Sequence, residues 1–122
     1  MPFVTNLMAF GAAPALAQAI VGDVADNLTA VGTTQANALK LSAADNVVTT
    51  TASGTGVQLP SMNPGDAVMV ANLGANALLV YPVTGGAIQT GATNAGFSVP
   101  TLKTAVFTAR NISINSVVLL SA

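Results

Sequence analysis

From Thr29 onward the chain is broken by Gly, Asn and Pro reversals, and this punctuation limits what it can fold into. The reversals include Asn63-Pro64-Gly65-Asp66, Leu73-Gly74-Ala75-Asn76, Thr84-Gly85-Gly86 and Asn94-Ala95-Gly96. Few runs between them are long enough for a packed helix, and the intervals of about 8–12 residues are those of an all-β domain. Strands are predicted near 29–32, 37–42, 46–51, 56–59, 66–72, 77–81, 87–89, 96–99, 104–109 and 113–120. The expected fold is all-β: a compact β-sandwich, jelly-roll-like, or a barrel, over residues 31–122.

The turn residues carry mechanisms. In Asn63-Pro64-Gly65-Asp66 the proline presets φ at the second position and the glycine supplies positive φ at the third, as a type II turn requires. Leu73-Gly74-Ala75-Asn76 suits a short hairpin loop between 66–72 and 77–81. Within 66–72, Val68, Val70 and Asn72 alternate with Ala67, Met69 and Ala71. Neither set is strongly polar, so both faces of that strand are expected to be covered, one by the core and one by a neighbour.

A repeat links two stretches. Gly56-Val-Gln-Leu-Pro60-Ser-Met62-Asn63 parallels Gly96-Phe-Ser-Val-Pro100-Thr-Leu102-Lys103. Each precedes an apolar strand, Ala67–Ala71 or Ala105–Ala109. A repeated strand–Pro–turn–strand unit fits opposite sheets of a sandwich or a duplicated hairpin of a barrel. Two copies are too few to read as a solenoid.

The first 30 residues read differently. Met1 to Leu7 suits an extended arm. Pro14 fits a first helical turn, where its missing N–H costs nothing. Leu16, Ala17, Ile20, Val21, Val24 and Leu28 then share one arc of a helical wheel, with Gln18, Gly22, Asp23 and Asp26 opposite and Asn27 as the misfit. Residues 1–30 are therefore expected to form an arm and an amphipathic helix over 14–28, for anchoring or oligomerisation. The helix can pack on its own domain or dock, with residues 1–13, on a partner subunit. No Lys or Arg precedes the apolar run Leu7–Val21, and Pro14 and Gln18 interrupt it. It is read as neither a signal peptide nor a membrane span.

Charge is scarce: three Lys or Arg and four Asp or Glu among 122 residues, with no Glu. Ordinary soluble domains carry about 25% charged residues. Low net charge favours association, so much of the surface is expected to be covered by copies of the chain or by a partner. Lys40, Lys103 and Arg110 are the only cations. They neutralise too few phosphates for nucleic-acid binding.

The same scarcity bears on chemistry. Without His or Cys, the familiar nucleophile–base arrangements are out of reach. The acids are Asp23, Asp26, Asp45 and Asp66. The first two lie on the polar side of the proposed helix. The others lie at turn-to-strand junctions, where Asp commonly bonds local backbone. Gly91-Ala-Thr-Asn-Ala-Gly96 has phosphate-loop glycine spacing, but Phe97-Ser98 follows where Lys and Ser or Thr belong. It is read as a turn. No catalytic residue, cofactor or metal site is expected. Phe97 and Phe107 are expected in the core, and Tyr81 at its rim.

Residues 33 to 99 resemble a group of small bacteriophage virion proteins. The likeness rests on Gly32-Thr-Thr-Gln-Ala36, Asn46-Val-Val-Thr-Thr50, Gly54-Thr-Gly56-Val-Gln-Leu-Pro60, Pro64-Gly-Asp66, Asn72-Leu-Gly-Ala-Asn-Ala-Leu-Leu-Val-Tyr-Pro82 and Gly85-Gly86-Ala-Ile88. It implies a head decoration (cement) protein that binds the lattice of the major capsid protein at the capsid surface, or else a tail or head fibre module that binds a host receptor. No catalytic residue comes with it. Homo-oligomers, trimers among them, would bury sheet edges. With this role the expected partner-binding residues are Phe3, Val4, Leu7, Phe10, Leu16, Ile20 and Val24, with no membrane and no nucleic acid involved.

Overall fold

The computed structural model describes residues 24–120, and all regular structure in that range is strand. The strands are β1 (Val24–Thr29), β2 (Leu39–Lys40), β3 (Asp45–Thr50), β4 (Gly56–Gln58), β5 (Ala67–Asn72), β6 (Leu78–Tyr81), β7 (Ala87–Ile88), β8 (Phe97–Val99), β9 (Lys103–Ala109) and β10 (Ile114–Leu120). The protein is all-β over these residues. Every strand after β1 falls where the turn spacing places one.

β1 corrects the N-terminal reading. Residues 24–28, assigned to the end of a helix, lie in a strand paired with β3. Asn27, the misfit on the wheel, takes a left-handed conformation at φ 57°, and its N–H is held by the Asp26 carboxylate at 2.7 Å. That conformation breaks a right-handed helix but suits a bulge. The pairing with β3 shifts register there, and Leu28 packs against the core. The rest of the proposed helix lies outside the described residues.

From β1 to β9 the strands alternate between two sheets, and β10 joins the larger one. One sheet runs β1-β3-β5-β9-β10-β7 and the other β2-β4-β6-β8. Each of β1–β2, β3–β4 and β5–β6 is a rung that visits both sheets, and successive rungs stack in parallel. Val24 lies opposite Asp45, which lies opposite Met69; Leu39 lies opposite Val57, which lies opposite Val80. β9 and β8 then pair antiparallel with β5 and β6. Five of the eight pairings are parallel. The arrangement is a solenoid-like stack, unlike the antiparallel pairing of a jelly roll.

The difference arises at the connections. Leu73–Asn76 does not close a hairpin, because β5 and β6 lie in different sheets. Asn72 makes the chain cross over. It is fully buried, and its side chain forms four hydrogen bonds. Its Oδ1 accepts from Thr51 Oγ1 (2.9 Å) and the Gly74 N–H (3.0 Å). Its Nδ2 donates to the carbonyls of Asn76 (2.8 Å) and Val99 (3.0 Å). Asn76 in turn donates to the Thr51 carbonyl, and the Leu102 N–H donates to the Asn72 carbonyl. Corners after β3, β5 and β8 thus meet at one amide. Gly74 is required there, since a Cβ would stand 2.6 Å from Thr51 Cβ.

The core lies between the sheets. Val48, Val68, Val70, Ala105, Phe107 and Val117 come from one, and Val57, Leu78, Val80 and Val99 from the other. Phe97 and Phe107 meet edge to face at 6.0 Å, a favoured aromatic geometry.

The sequence repeat is realised in one sheet and inverted in the other. β4 and β8 flank β6, so that Val80 sits between Val57 and Phe97. The repeat's two glycines frame the Tyr81 ring: Cβ atoms at Gly56 and Gly96 would stand 2.8 Å and 3.1 Å from its opposite edges. Tyr81 is buried there, deeper than a rim position, and its hydroxyl donates to the Thr33 carbonyl at 3.4 Å. In the larger sheet the copies part. Val68 and Val70 point inward on β5, whereas Ala105 and Phe107, the partners of Ala67 and Met69 in the repeat, point inward on β9. The second copy therefore enters its strand one residue out of phase with the first, which exchanges the inward and outward sets.

Asn72→Ala is expected to cost about 3 kcal/mol in urea unfolding, because it strands buried donors and acceptors. Gly56→Ala is expected to cost about 2 kcal/mol through overpacking against Tyr81. Gly65→Ala, where open space surrounds the site at φ 93°, tests backbone strain alone; it is expected to cost about 1 kcal/mol.

Candidate interaction surface

The outward face of the six-stranded sheet is the feature most suited to a partner. Alternation sends one side-chain set of each strand inward and the other outward. The pairings line Val118, Val106, Met69, Asp45 and Val24 up as one row across β10, β9, β5, β3 and β1. Val118 is 59% exposed, Val24 50% and Met69 37%, with Val106 half-buried. A neighbouring row brings Thr104, Ala71 and Val47 together. Asp45 is the single acidic side chain in these two rows.

The smaller sheet is covered at β4. Gly56, Val57 and Gln58 are all buried, so β4 has no free face. Thr33 and Gln35 reach over this sheet, Thr33 accepting from Tyr81 and Gln35 donating to the Pro82 carbonyl at 2.9 Å. Asn94 gathers the 82–96 loop: its Oδ1 accepts from the Gly85 N–H (2.6 Å) and from Gln35 Nε2 (3.2 Å). The glycine-spaced loop Gly91–Gly96 is thereby a turn held by its own asparagine.

A groove of about 440 Å³ opens at the edge of the smaller sheet, between Lys40, Gln58, Pro60, Ser61, Val83 and Thr84. The Lys40 ammonium donates to the Gln58 side-chain carbonyl, and the Gln58 amide donates to the Pro82 carbonyl. The groove offers one engaged cation and two hydroxyls, with no carboxylate or imidazole beside them. It can accept a polar group but holds no general base.

The acids are dispersed. Asp66 accepts from the Asn63 N–H at 3.0 Å and closes the type II turn, with Gly65 at φ 93°. Asp26 holds the β1 bulge, and Asp45 begins β3. Among the described residues no three acidic side chains form a metal-sized group. Also among the described residues, no helix is long and apolar enough to cross a membrane.

Of the residues expected to bind a partner, Val24 lies on the exposed face at the end of the apolar row. Phe3, Val4, Leu7, Phe10, Leu16 and Ile20 lie outside the described residues. Met69, Val106 and Val118 were not singled out as contacts, although the apolar outward set on 66–72 signalled a covered second face.

Met69→Glu and Val118→Lys place charge on this face without touching the core. Each is expected to leave stability within about 0.5 kcal/mol while lowering self-association in sedimentation velocity. Unchanged association in both variants would assign the face to solvent. Comparison with protein-family models, with curated proteins and with solved structures finds no match to this chain.

Proposed function

We propose that the chain is a non-enzymatic structural protein of a bacteriophage virion, which decorates the capsid and stabilises it by binding the lattice of the major capsid protein. The observation that carries this reading is the nearly uncharged apolar row Val24–Met69–Val106–Val118 on an open sheet face. In a chain with seven ionisable Asp, Lys and Arg side chains (3 + 4), such a face favours burial against a repeating surface over free dispersion. In this reading the two stacked sheets serve as a compact, sandwich-like body, and homotrimers would cover the sheet edges. Residues 1–23 supply the anchor through Phe3, Val4, Leu7, Phe10, Leu16 and Ile20. A protein that binds the assembled shell and not its free subunits stabilises the shell by mass action.

The groove beside Lys40 favours a second reading, a fibre module that holds a polar group of a host receptor. It is the weaker one, since the lone cation there is already engaged by Gln58.

Full-length protein added to undecorated capsids of the encoding phage is expected to co-sediment at saturable occupancy and to raise the temperature at which the shells open. Phe10→Asp and Ile20→Asp are expected to weaken that binding at least tenfold. Wild-type protein that leaves shells undecorated, yet labels tail tips or a glycan array, would replace this reading with the fibre module.

A further inference from the structure

We infer that the groove beside Lys40 is a binding site for an acidic sugar, taken up through the sugar's carboxylate. The inference names a ligand class for the groove of the second reading and rests on that reading; it does not require decoration of a shell.

The groove is a product of the stack. β2, β4 and β6 run parallel in the smaller sheet, with Lys40 opposite Gln58 and Gln58 opposite Tyr81. Its walls are the ends of those strands and the segments that leave them: Lys40 and Leu41, then Gln58 to Ser61, then Val83 and Thr84. The volume of about 440 Å³ lies within the usual range for small-molecule sites.

Charge selects the kind of ligand. Lys40 is exposed, and no carboxylate lines the groove to neutralise it. Its ammonium donates to the neutral side chain of Gln58. That bond uses one of three N–H donors and leaves the charge and two donors for a ligand. A single cation balances a single carboxylate. A phosphate monoester carries close to two negative charges at pH 7 and would stay half compensated.

Gln58 fixes the groove's donors in place. It is 6% exposed, and both ends of its amide are engaged. Oε1 accepts from Lys40, while Nε2 donates to the Pro82 carbonyl at 3.3 Å and lies 3.5 Å from Thr84 Oγ1. The Thr84 hydroxyl can thus accept from Gln58 and still donate its own proton. Side chains held by a buried partner lose less freedom when a ligand arrives. A carboxylate bound here accepts from the Lys40 ammonium and from the Thr84 hydroxyl. Ser61 adds a hydroxyl for a ring hydroxyl, and Leu59, Pro60 and Val83 offer apolar surface to the C–H face of a sugar ring. No aromatic ring lines the groove, so the carboxylate contact decides the affinity.

Titration of the full-length protein with glucuronate, followed by amide and side-chain NMR shifts, is expected to saturate in the millimolar range, with the moving signals at Lys40, Gln58, Ser61 and Thr84. Glucose, a similar ring without the carboxylate, is expected to bind roughly tenfold more weakly or worse. Lys40→Gln is expected to weaken glucuronate binding roughly tenfold, the worth of a hydrogen bond between charged groups, and Thr84→Val roughly fivefold. Both side chains are exposed, so the unfolding temperature is expected to hold in each variant. Added salt is expected to weaken the binding, since the cation is open to solvent. No saturation below about 100 mM, glucose binding as tightly as glucuronate, or glucuronate binding unchanged in Lys40→Gln would each overturn the inference. The fibre module itself is judged separately, by the labelling of tail tips.

Discussion

The stack depends on a buried amide at Asn72. A parallel coil must turn out of one sheet and into the other at every corner, and each corner leaves backbone groups without a ladder partner. Buried groups of that kind cost about 1–3 kcal/mol each when unpaired. Asn72 resolves three corners together, since Thr51, Gly74, Asn76 and Val99 all bond its side chain. An aliphatic residue at this place would fit the inward alternation of β5 and leave those corners unpaired. Asn46, also fully buried, works more locally: its Nδ2 donates to the carbonyls of Ala43 and Met69, while its Oδ1 meets no donor among the described residues.

Neutral amides and hydroxyls therefore do inside this protein what ion pairs do in others. Gln35, Gln58 and Asn94 tie the outer loops of the smaller sheet in the same manner. Such groups keep their bonding across a wide range of pH, because none of them titrates. The composition, thin in charge and rich in Asn and Thr, follows from that construction as much as from the need to present an uncharged face. It also explains why the groove beside Lys40 has binding geometry but no proton-transfer chemistry.

Much of the strand layout was legible beforehand. Gly, Pro and Asn act through local φ preferences, so Pro64-Gly65 and Gly85-Gly86 announced their turns without tertiary information. Pairing was not legible in the same way. A four-residue connection such as Leu73–Asn76 serves a hairpin or a crossing equally well, and the choice was made by Asn72 and Thr51 at long range. At 24–28 the amphipathic arc misled for a related reason: apolar residues three and four apart also occur where a strand carries a bulge, and Asn27 puts one in β1. The apolar outward set of β5 was visible as a pattern. Its alignment with Val106 and Val118 needed the register of β9 and β10.

The two halves of the larger sheet differ in how far apart in the chain their partners lie. β1, β3 and β5 join neighbours one rung away, whereas β5 waits for β9, and β7 for β10. A ribosome releases the chain from its N-terminal end. The early rungs can accordingly settle during synthesis, while one side of β5 stays open through residues 73–102 until β9 emerges. For that interval the nascent protein exposes an apolar, strand-ready border, so translation speed through residues 73–102 sets the time during which two unfinished chains can join by mistake.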